Sequence, residues 1–221
     1  KSAPQSNYIS LELDKTLAEE EYRLSVSTDA VKIVGGGYGG VFNGVQTLFQ
    51  LLPPGVYTKQ MALPATVQGC DVTDKPKFAY RGFMLDVART FMEKENVLRY
   101  IDYIAYHKIN KLHWHLVDNQ GWRIEIKSHP RLAQVGGFRG GDSPLRASLG
   151  KWDEKYGGYF TQEEIKEVVA YAAVRNVEVI PEIDLPGHCM AILATYPHLG
   201  TEDNAGVKPA ITWGIYNKLN N

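Results

Sequence analysis

The 221-residue sequence is short of cysteine, carries no excess charge of either sign and holds no long apolar run, and each shortage excludes something. Its two cysteines, Cys70 and Cys189, lie far apart and match neither a disulfide framework nor a metal-ligand spacing, so they are expected as unpaired, mostly buried thiols. Lys and Arg total 24 against 25 Asp and Glu, a formal charge of -1, which leaves no electrostatic footprint for nucleic acid or an anionic membrane. No stretch approaches the roughly 18 to 20 apolar residues that span a bilayer, and residues 1–10 have no signal-like apolar core. The expectation is a soluble chain with no nucleic-acid and no membrane partner. The first residue is Lys1 rather than Met, which is compatible with removal of a signal peptide or an upstream segment.

What is present is an apolar content of 44%, enough for a sizeable core in one large domain or two modest ones. Ile9-Ser10-Leu11-Glu12-Leu13 and Tyr22-Arg23-Leu24-Ser25-Val26 alternate apolar with polar and predict strands, and residues 31–34 predict a shorter one ending in glycines. The period then changes: Val41, Val45, Leu48, Phe49 and Leu52 mark one face of a helix that Pro53-Pro54 stops. Pro64, Gly69 and Pro76 lead out of this region. The boundary is expected near residues 75–77, giving a small α/β domain over 1–76 and a second domain over 77–221.

In that second region strands and helices alternate. Phe83-Met84-Leu85-Asp86-Val87 is a mostly apolar run of the kind shown by strands buried on both faces. Val97, Ile101, Ile104 and Ala105 form a helical stripe, residues 112–117 a second strand, and Trp122, Ile124 and Ile126 a short excursion strand within a long connection. Thr161-Gln162-Glu163-Glu164 is a capping box opening a helix with an apolar face of Ile165, Val168, Val169 and Ala172, and residues 177–183 read as a third strand despite Pro181. Such alternation implies a parallel sheet, either doubly wound or rolled into a barrel.

Gly35-Gly36-Gly37-Tyr38-Gly39-Gly40 has the G-x-G-x-x-G spacing of a dinucleotide site, but no Asp or Glu follows it before Asp71, so a glycine-rich turn is the better reading. His113 and His115 point to one side of the second strand. They are a metal pair that Asp118, Asp184 and His188 could complete or, on the favoured reading, interior residues with hydrogen-bonded nitrogens. Asp118 and Asp184 each sit just past an apolar strand, where a barrel keeps its chemistry, and the turn Leu185-Pro186-Gly187 brings His188 back over the mouth.

Three longer segments stand in order: Tyr80-Arg81-Gly82-Phe83-Met84-Leu85-Asp86-Val87-Ala88-Arg89, Asn110-Lys111-Leu112-His113-Trp114-His115-Leu116-Val117-Asp118-Asn119-Gln120-Gly121-Trp122-Arg123, and Ile180-Pro181-Glu182-Ile183-Asp184-Leu185-Pro186-Gly187-His188. Together they resemble glycoside hydrolase family 20, the β-N-acetylhexosaminidases, and the stretches around Tyr22 and Gly44 look like that family's small α/β domain. The resemblance implies a small α/β domain followed by the first part of a (β/α)₈ TIM barrel, with no cofactor and no metal. It also implies removal of terminal N-acetylhexosamine from oligosaccharides or glycoconjugates, with retention. The substrate's own acetamido oxygen attacks the anomeric carbon while a glutamic acid protonates the leaving oxygen and a preceding aspartate orients the acetamido group. By similarity Arg89 binds hydroxyls of the terminal sugar, Asp118 and His188 form a relay that orients the acid, and Asp184 supports the mouth or the sugar. The family also points to a secreted, periplasmic or lysosomal setting.

The chain departs from that pattern. Thr90 and Asn119 stand where the family often has His and Asp, and no Asp-Glu dipeptide follows His188. Glu202-Asp203 is the reversed order, and residues 209–213 look like the stretch before the strand that carries the pair in the family. Acid and orienting aspartate are thus expected to be missing, with three strand-helix units of the eight present and an open edge on the third strand. The rest of the barrel is then lost, cleaved into a second chain or supplied by a partner. The alternative functions are an inactive, truncated paralogue that still binds sugar and a metal-dependent barrel hydrolase.

Overall fold

A computed structural model describes residues 6–58, 65–142 and 153–200. Glu202-Asp203 and residues 209–213 lie outside the described residues. The chain divides into two units: one runs up to Arg81 and includes Tyr103–Asn110, the other holds Gly82–Asp102 and the chain from Lys111 on.

In the first unit the alternating segments become β1 (Tyr8–Leu13), β2 (Tyr22–Val26) and β3 (Ala30–Gly35), followed by α1 (Tyr38–Leu51) and β4 (Cys70–Asp74). The sheet order is β1-β3-β2-β4, with β1 parallel to β3 and the other pairs antiparallel. Tyr22, Leu24 and Val26 are alternate residues of β2 and so share one face; with Ile33 they form the core, against which Val41, Val45 and Leu48 of α1 pack. Phe49, expected on that same helix face, is 43% exposed, because the closest part of the helix is lined by Gly40, Asn43 and Gly44. Strand β4 has only Cys70 and Val72 as inward residues, too few to stand out among polar neighbours, and pairing with β2 makes it a strand. Cys70 is half-buried, Cys189 is buried, and the two are not joined.

The glycine run proves to be a packing device. Gly36 N–H donates to the Glu21 carbonyl (2.9 Å) and Gly40 N–H to the Glu19 carbonyl (3.0 Å), which ties both ends of the run to residues 19–21. A Cβ on Gly36 would lie 1.9 Å from the Ala18 carbonyl oxygen; glycine is needed for that close approach, not for a bound phosphate.

The second unit contains β5 (Gly82–Asp86), α2 (Lys94–Tyr106), β6 (Lys111–His115), the two-residue hairpin of β7 (Val117–Asp118) and β8 (Gly121–Trp122), α3 (Arg131–Gln134), β9 (Phe138–Arg139), β10 (Tyr156–Gly157), α4 (Gln162–Ala173), β11 (Glu178–Glu182) and α5 (Met190–Thr195). The last turn of α2 clusters with the first unit. β5, β6 and β11 form a parallel sheet in the order β11-β6-β5. The expected excursion strand is in fact β8 plus one isolated bridge, Ile124 to Phe160.

Val97, Ile101, Ile104 and Ala105 are all buried, as their spacing predicts. The capping box at the start of α4 is present in both halves: Glu164 N–H donates to Thr161 Oγ1 and Thr161 N–H to the Glu164 carboxylate. Of the predicted α4 face, Val168 and Ala172 are fully buried while Val169 is exposed.

One expectation is corrected. β5 is not buried on both faces: Leu85 is buried on the helix side with Leu112 and Trp114, whereas Met84 on the other side is 50% exposed. Helices covering one face of a parallel sheet fit a barrel wall rather than a doubly wound sheet, and the bare face is the one a barrel turns inward. Pro181 lies level with Trp114 in β11, which has β6 as its one neighbour among the described residues; an edge strand tolerates proline because half its N–H groups face away from the ladder. No helix among the described residues is long and apolar enough to cross a membrane.

Candidate active site

Parallel register brings three side chains to one level. Asp86 is the last residue of β5, His115 of β6 and Glu182 of β11, and the ladders pair Asp86 with His115 and His115 with Glu182. The segments that follow these strands carry Arg89, Asp118, Asp184 and His188, so charged groups from three strand ends meet at the C-terminal edge of the sheet.

Asp118, with a side chain 1% exposed, is the hub. Its Oδ2 accepts from Arg89 Nη2 at 2.6 Å and from His115 Nε2 at 3.0 Å, and its Oδ1 accepts from the Asn119 backbone N–H at 2.6 Å. Arg89 Nη1 donates to Asp86 Oδ2 at 2.8 Å, so the guanidinium is gripped on both sides by carboxylates. On the far side of the ring, His115 Nδ1 donates to Glu182 Oε2 at 2.6 Å, and His113 Nε2 reaches the same oxygen at 2.5 Å. Both histidines are therefore hydrogen-bonded, as the favoured reading of the His-x-His pair has it, but only His115 is an interior residue; the His113 side chain is 36% exposed.

Burial works against charging His115, but its hydrogen bonds to Asp118 and Glu182 and the nearby Asp86 charge overcome that and hold its pKa up at about 9. Burial likewise opposes ionisation of Glu182, and its bonds to His115 and His113 outweigh it, leaving the carboxyl below its ordinary pKa. With both His115 nitrogens donating, the 3.2 Å contact between Arg89 Nη1 and His115 Nε2 is a meeting of two donors, tolerated because carboxylates flank them.

The four residues singled out from the sequence are placed as follows. Arg89, Asp118, Asp184 and His188 all lie at this edge, but the expected Asp118–His188 relay is not a hydrogen bond: His188 Nδ1 is 3.7 Å from Asp118 Oδ2 and instead pairs with Asp184 Oδ2 at 2.6 Å. His188 lies four residues after Asp184, at a φ of +51°. Asp184, expected to support the mouth or the sugar, is thus the immediate partner of His188. Asn119 accepts from the Met190 N–H at 3.3 Å, a role that an aspartate there would fill equally. Asp86 and Glu182 were not among the expected site residues, though their position as last residues of parallel strands is the signal that picks them out.

Two sets bring donor atoms within 4.8 Å of one another and could hold a metal: His115 with Glu182 and Asp184, and Asp118 with Asp184 and His188. His113 belongs to neither, so the pair that suggested a metal is not the pair the geometry offers. The members of both sets are already hydrogen-bonded within the cluster.

Comparison with known proteins decides the lineage. The model "Glycosyl hydrolase family 20, catalytic domain" matches residues 78–221 and "Glycosyl hydrolase family 20, domain 2" matches residues 1–75. The chain belongs to glycoside hydrolase family 20. Among family-20 relatives, the Porphyromonas gingivalis protein named beta-hexosaminidase is 45% identical over 210 residues, covering 94% of this chain and 26% of that protein. The solved exo β-N-acetylglucosaminidase of Vibrio harveyi, in complex with N-acetylglucosamine, superposes with a TM-score of 0.82 at 42% identity, over 88% of this chain and 30% of that one. The β-N-acetylhexosaminidase of Streptomyces coelicolor gives 0.84 at 39% identity, over 96% and 41%. The chain therefore spans between about a quarter and two fifths of these family-20 proteins, and corresponds to the small α/β domain and the first part of the barrel.

Proposed function

We propose that this chain is part of a β-N-acetylhexosaminidase that removes terminal N-acetylhexosamine from oligosaccharides or glycoconjugates by the retaining, substrate-assisted route, and that it supplies the sugar-gripping half of the site. The observation that carries this reading is the Arg89 guanidinium fixed between Asp86 and Asp118 at the strand ends. Two of its N–H groups are engaged by those carboxylates, and the other N–H groups on the same two nitrogens form a planar fork suited to neighbouring sugar hydroxyls.

His188, backed by Asp184 and lying 3.7 Å from Asp118, is the group from this chain best placed to orient the acid. The acid and the aspartate that steadies the acetamido group have no counterpart after His188, so in this reading they come from the remainder of the enzyme. The fixed cations matter because hydroxyls held by preorganised donors set the sugar ring for attack by its own acetamido oxygen.

A chimera tests this: residues 1–221 replace the matching segment of the Porphyromonas gingivalis relative, and hydrolysis of an aryl N-acetyl-β-glucosaminide is followed. The chimera should turn over and the isolated chain should not. A folded chimera that binds N-acetylglucosamine without hydrolysing it would favour the inactive, sugar-binding paralogue. Turnover by the isolated chain would assign the acid role to a residue such as Glu182.

A further inference from the structure

Behind the strand-end cluster lie two arginines that the chemistry above does not use. Arg123 is 0% and Arg139 1% exposed, and the hydrogen-bond partners found for them among the described residues are main-chain carbonyls. Arg123 donates through Nε to the Val87 carbonyl (3.0 Å), through Nη2 to that of Ala88 (2.7 Å), and through Nη1 to those of Gly137 and Gly158. Arg139 donates through Nη1 to the Arg89 carbonyl (2.7 Å) and to that of Gln120 (3.4 Å).

Three successive carbonyls, 87 to 89, therefore point back at two guanidiniums. The other half of the same turn is closed by Asp86, whose Oδ1 accepts the N–H groups of Ala88 (3.0 Å) and Arg89 (2.9 Å). The turn has no free backbone direction left, and the side chain it presents is Arg89. Gly157, at a φ of +134°, makes the space: a Cβ there would sit 2.2 Å from the Gly137 carbonyl oxygen and 3.0 Å from Arg123 Nη1. Burying two cations is costly, and apolar residues would fill the same volume without that cost. What a planar fork adds is the fixed angle between the carbonyls it joins, which a lysine ammonium cannot reproduce.

We propose that Arg123 and Arg139 are positioning residues that aim the Arg89 guanidinium by clamping the carbonyls of Val87, Ala88 and Arg89. The inference rests on the reading of Arg89 as the group that grips the terminal sugar.

The test is a double-mutant comparison in the chimera, with kcat/KM and melting temperature read together. Arg139→Lys should lower kcat/KM about tenfold or more with Arg89 present and by less than about twofold in an Arg89→Ala background, while its effect on melting is the same in both. Equal losses in kcat/KM in the two backgrounds, or no loss in either, would overturn the proposal. Arg123→Lys carries the same test if Arg139→Lys does not fold, and failure of both to fold would show the pair to be structural. A readout free of hydrolysis separates this from the proposed function: in the 221-residue chain the Arg89 Nε–H resonance, assigned by its loss in Arg89→Lys, should shift or broaden in Arg139→Lys. An unmoved resonance contradicts the clamp whether or not any sugar is cleaved.

Discussion

Two turns in this molecule leave a strand with their backbone tied to neighbouring protein groups, and only the second presents a charged side chain to other charged groups. In residues 35–40 the N–H groups of Gly36 and Gly40 donate to the carbonyls of Glu21 and Glu19, the side chains are mostly hydrogen, and there is no room even for a Cβ at Gly36. In residues 86–89 the amides of Ala88 and Arg89 are taken by a carboxylate, that of Val87 by the His115 carbonyl, and the carbonyls of 87 to 89 by buried guanidiniums, so much of the rigidity is supplied by charged side chains and leaves Arg89 beside the carboxylates of Asp86 and Asp118. A glycine-rich spacing alone thus marks close packing as readily as a ligand cradle. The turn proposed to meet the sugar is told apart by the charges gathered around it.

The largest effect should come from removing the hub of the second turn. In the chimera Asp118→Ala leaves Arg89 and the charged His115 short of a partner, so kcat should fall by about 10² to 10⁴. Because Asp118 touches Arg89 directly and His188 only at 3.7 Å, its loss should be strongly non-additive with Arg89→Lys and closer to multiplicative with His188→Ala. Matching cycles of steady-state rates would check both halves of that statement, and the reverse pattern would restore the direct relay.

Acid-base linkage gives the next effect. A histidine whose folded pKa stands at about 9, above the ordinary 6.5, contributes stability that is complete below pH 6.5 and is lost as pH rises through about 9. The full contribution is on the order of 3 kcal/mol. Glu182, held below its ordinary value, acts in the opposite sense, with stability present above the unfolded carboxyl value and lost as pH falls through the folded one. Urea midpoints should therefore drop between pH 7 and pH 10, and the drop should flatten in His115→Gln. A flat profile in the parent chain would mean that His115 is neutral.

The smallest effect tests the first turn. Gly36→Ala forces the chain away from the Ala18 carbonyl and should cost about 1 to 3 kcal/mol of stability in urea unfolding, with no change in affinity for N-acetylglucosamine. A selective loss of sugar binding would contradict the assignment of that turn to packing.

Much of this is legible in the sequence. β2, the α2 stripe, the capping box at Thr161 and the placing of Asp118 and His188 near strand ends all follow from local pattern, because each depends on residues within a few positions of one another. What was not legible depends on register. That Glu182 faces both His113 and His115, and that Asp86 stands level with His115, requires knowing how three strands pair, and Glu182 itself reads as one more strand residue. Likewise nothing in the local pattern of Arg123 and Arg139 separates them from solvated arginines. Their burial comes from loops folding over them. The exposed face of β5 is not legible either, because an apolar run reports what a strand is suited to meet, not what meets it.

The most direct measurement on the central claim is the affinity of the chimera for N-acetylglucosamine with Arg89 and with Arg89→Lys, read as Ki against the aryl glycoside. If the strand-end turn exists to present a rigid fork to the terminal sugar, keeping the charge while losing the fork should weaken binding by about 1.5 to 3 kcal/mol, roughly a 10- to 150-fold rise in Ki. An unchanged Ki, with kcat and KM also unchanged, would show that Arg89 lies outside the sugar site and that the cluster around Asp118 holds the fold rather than the substrate.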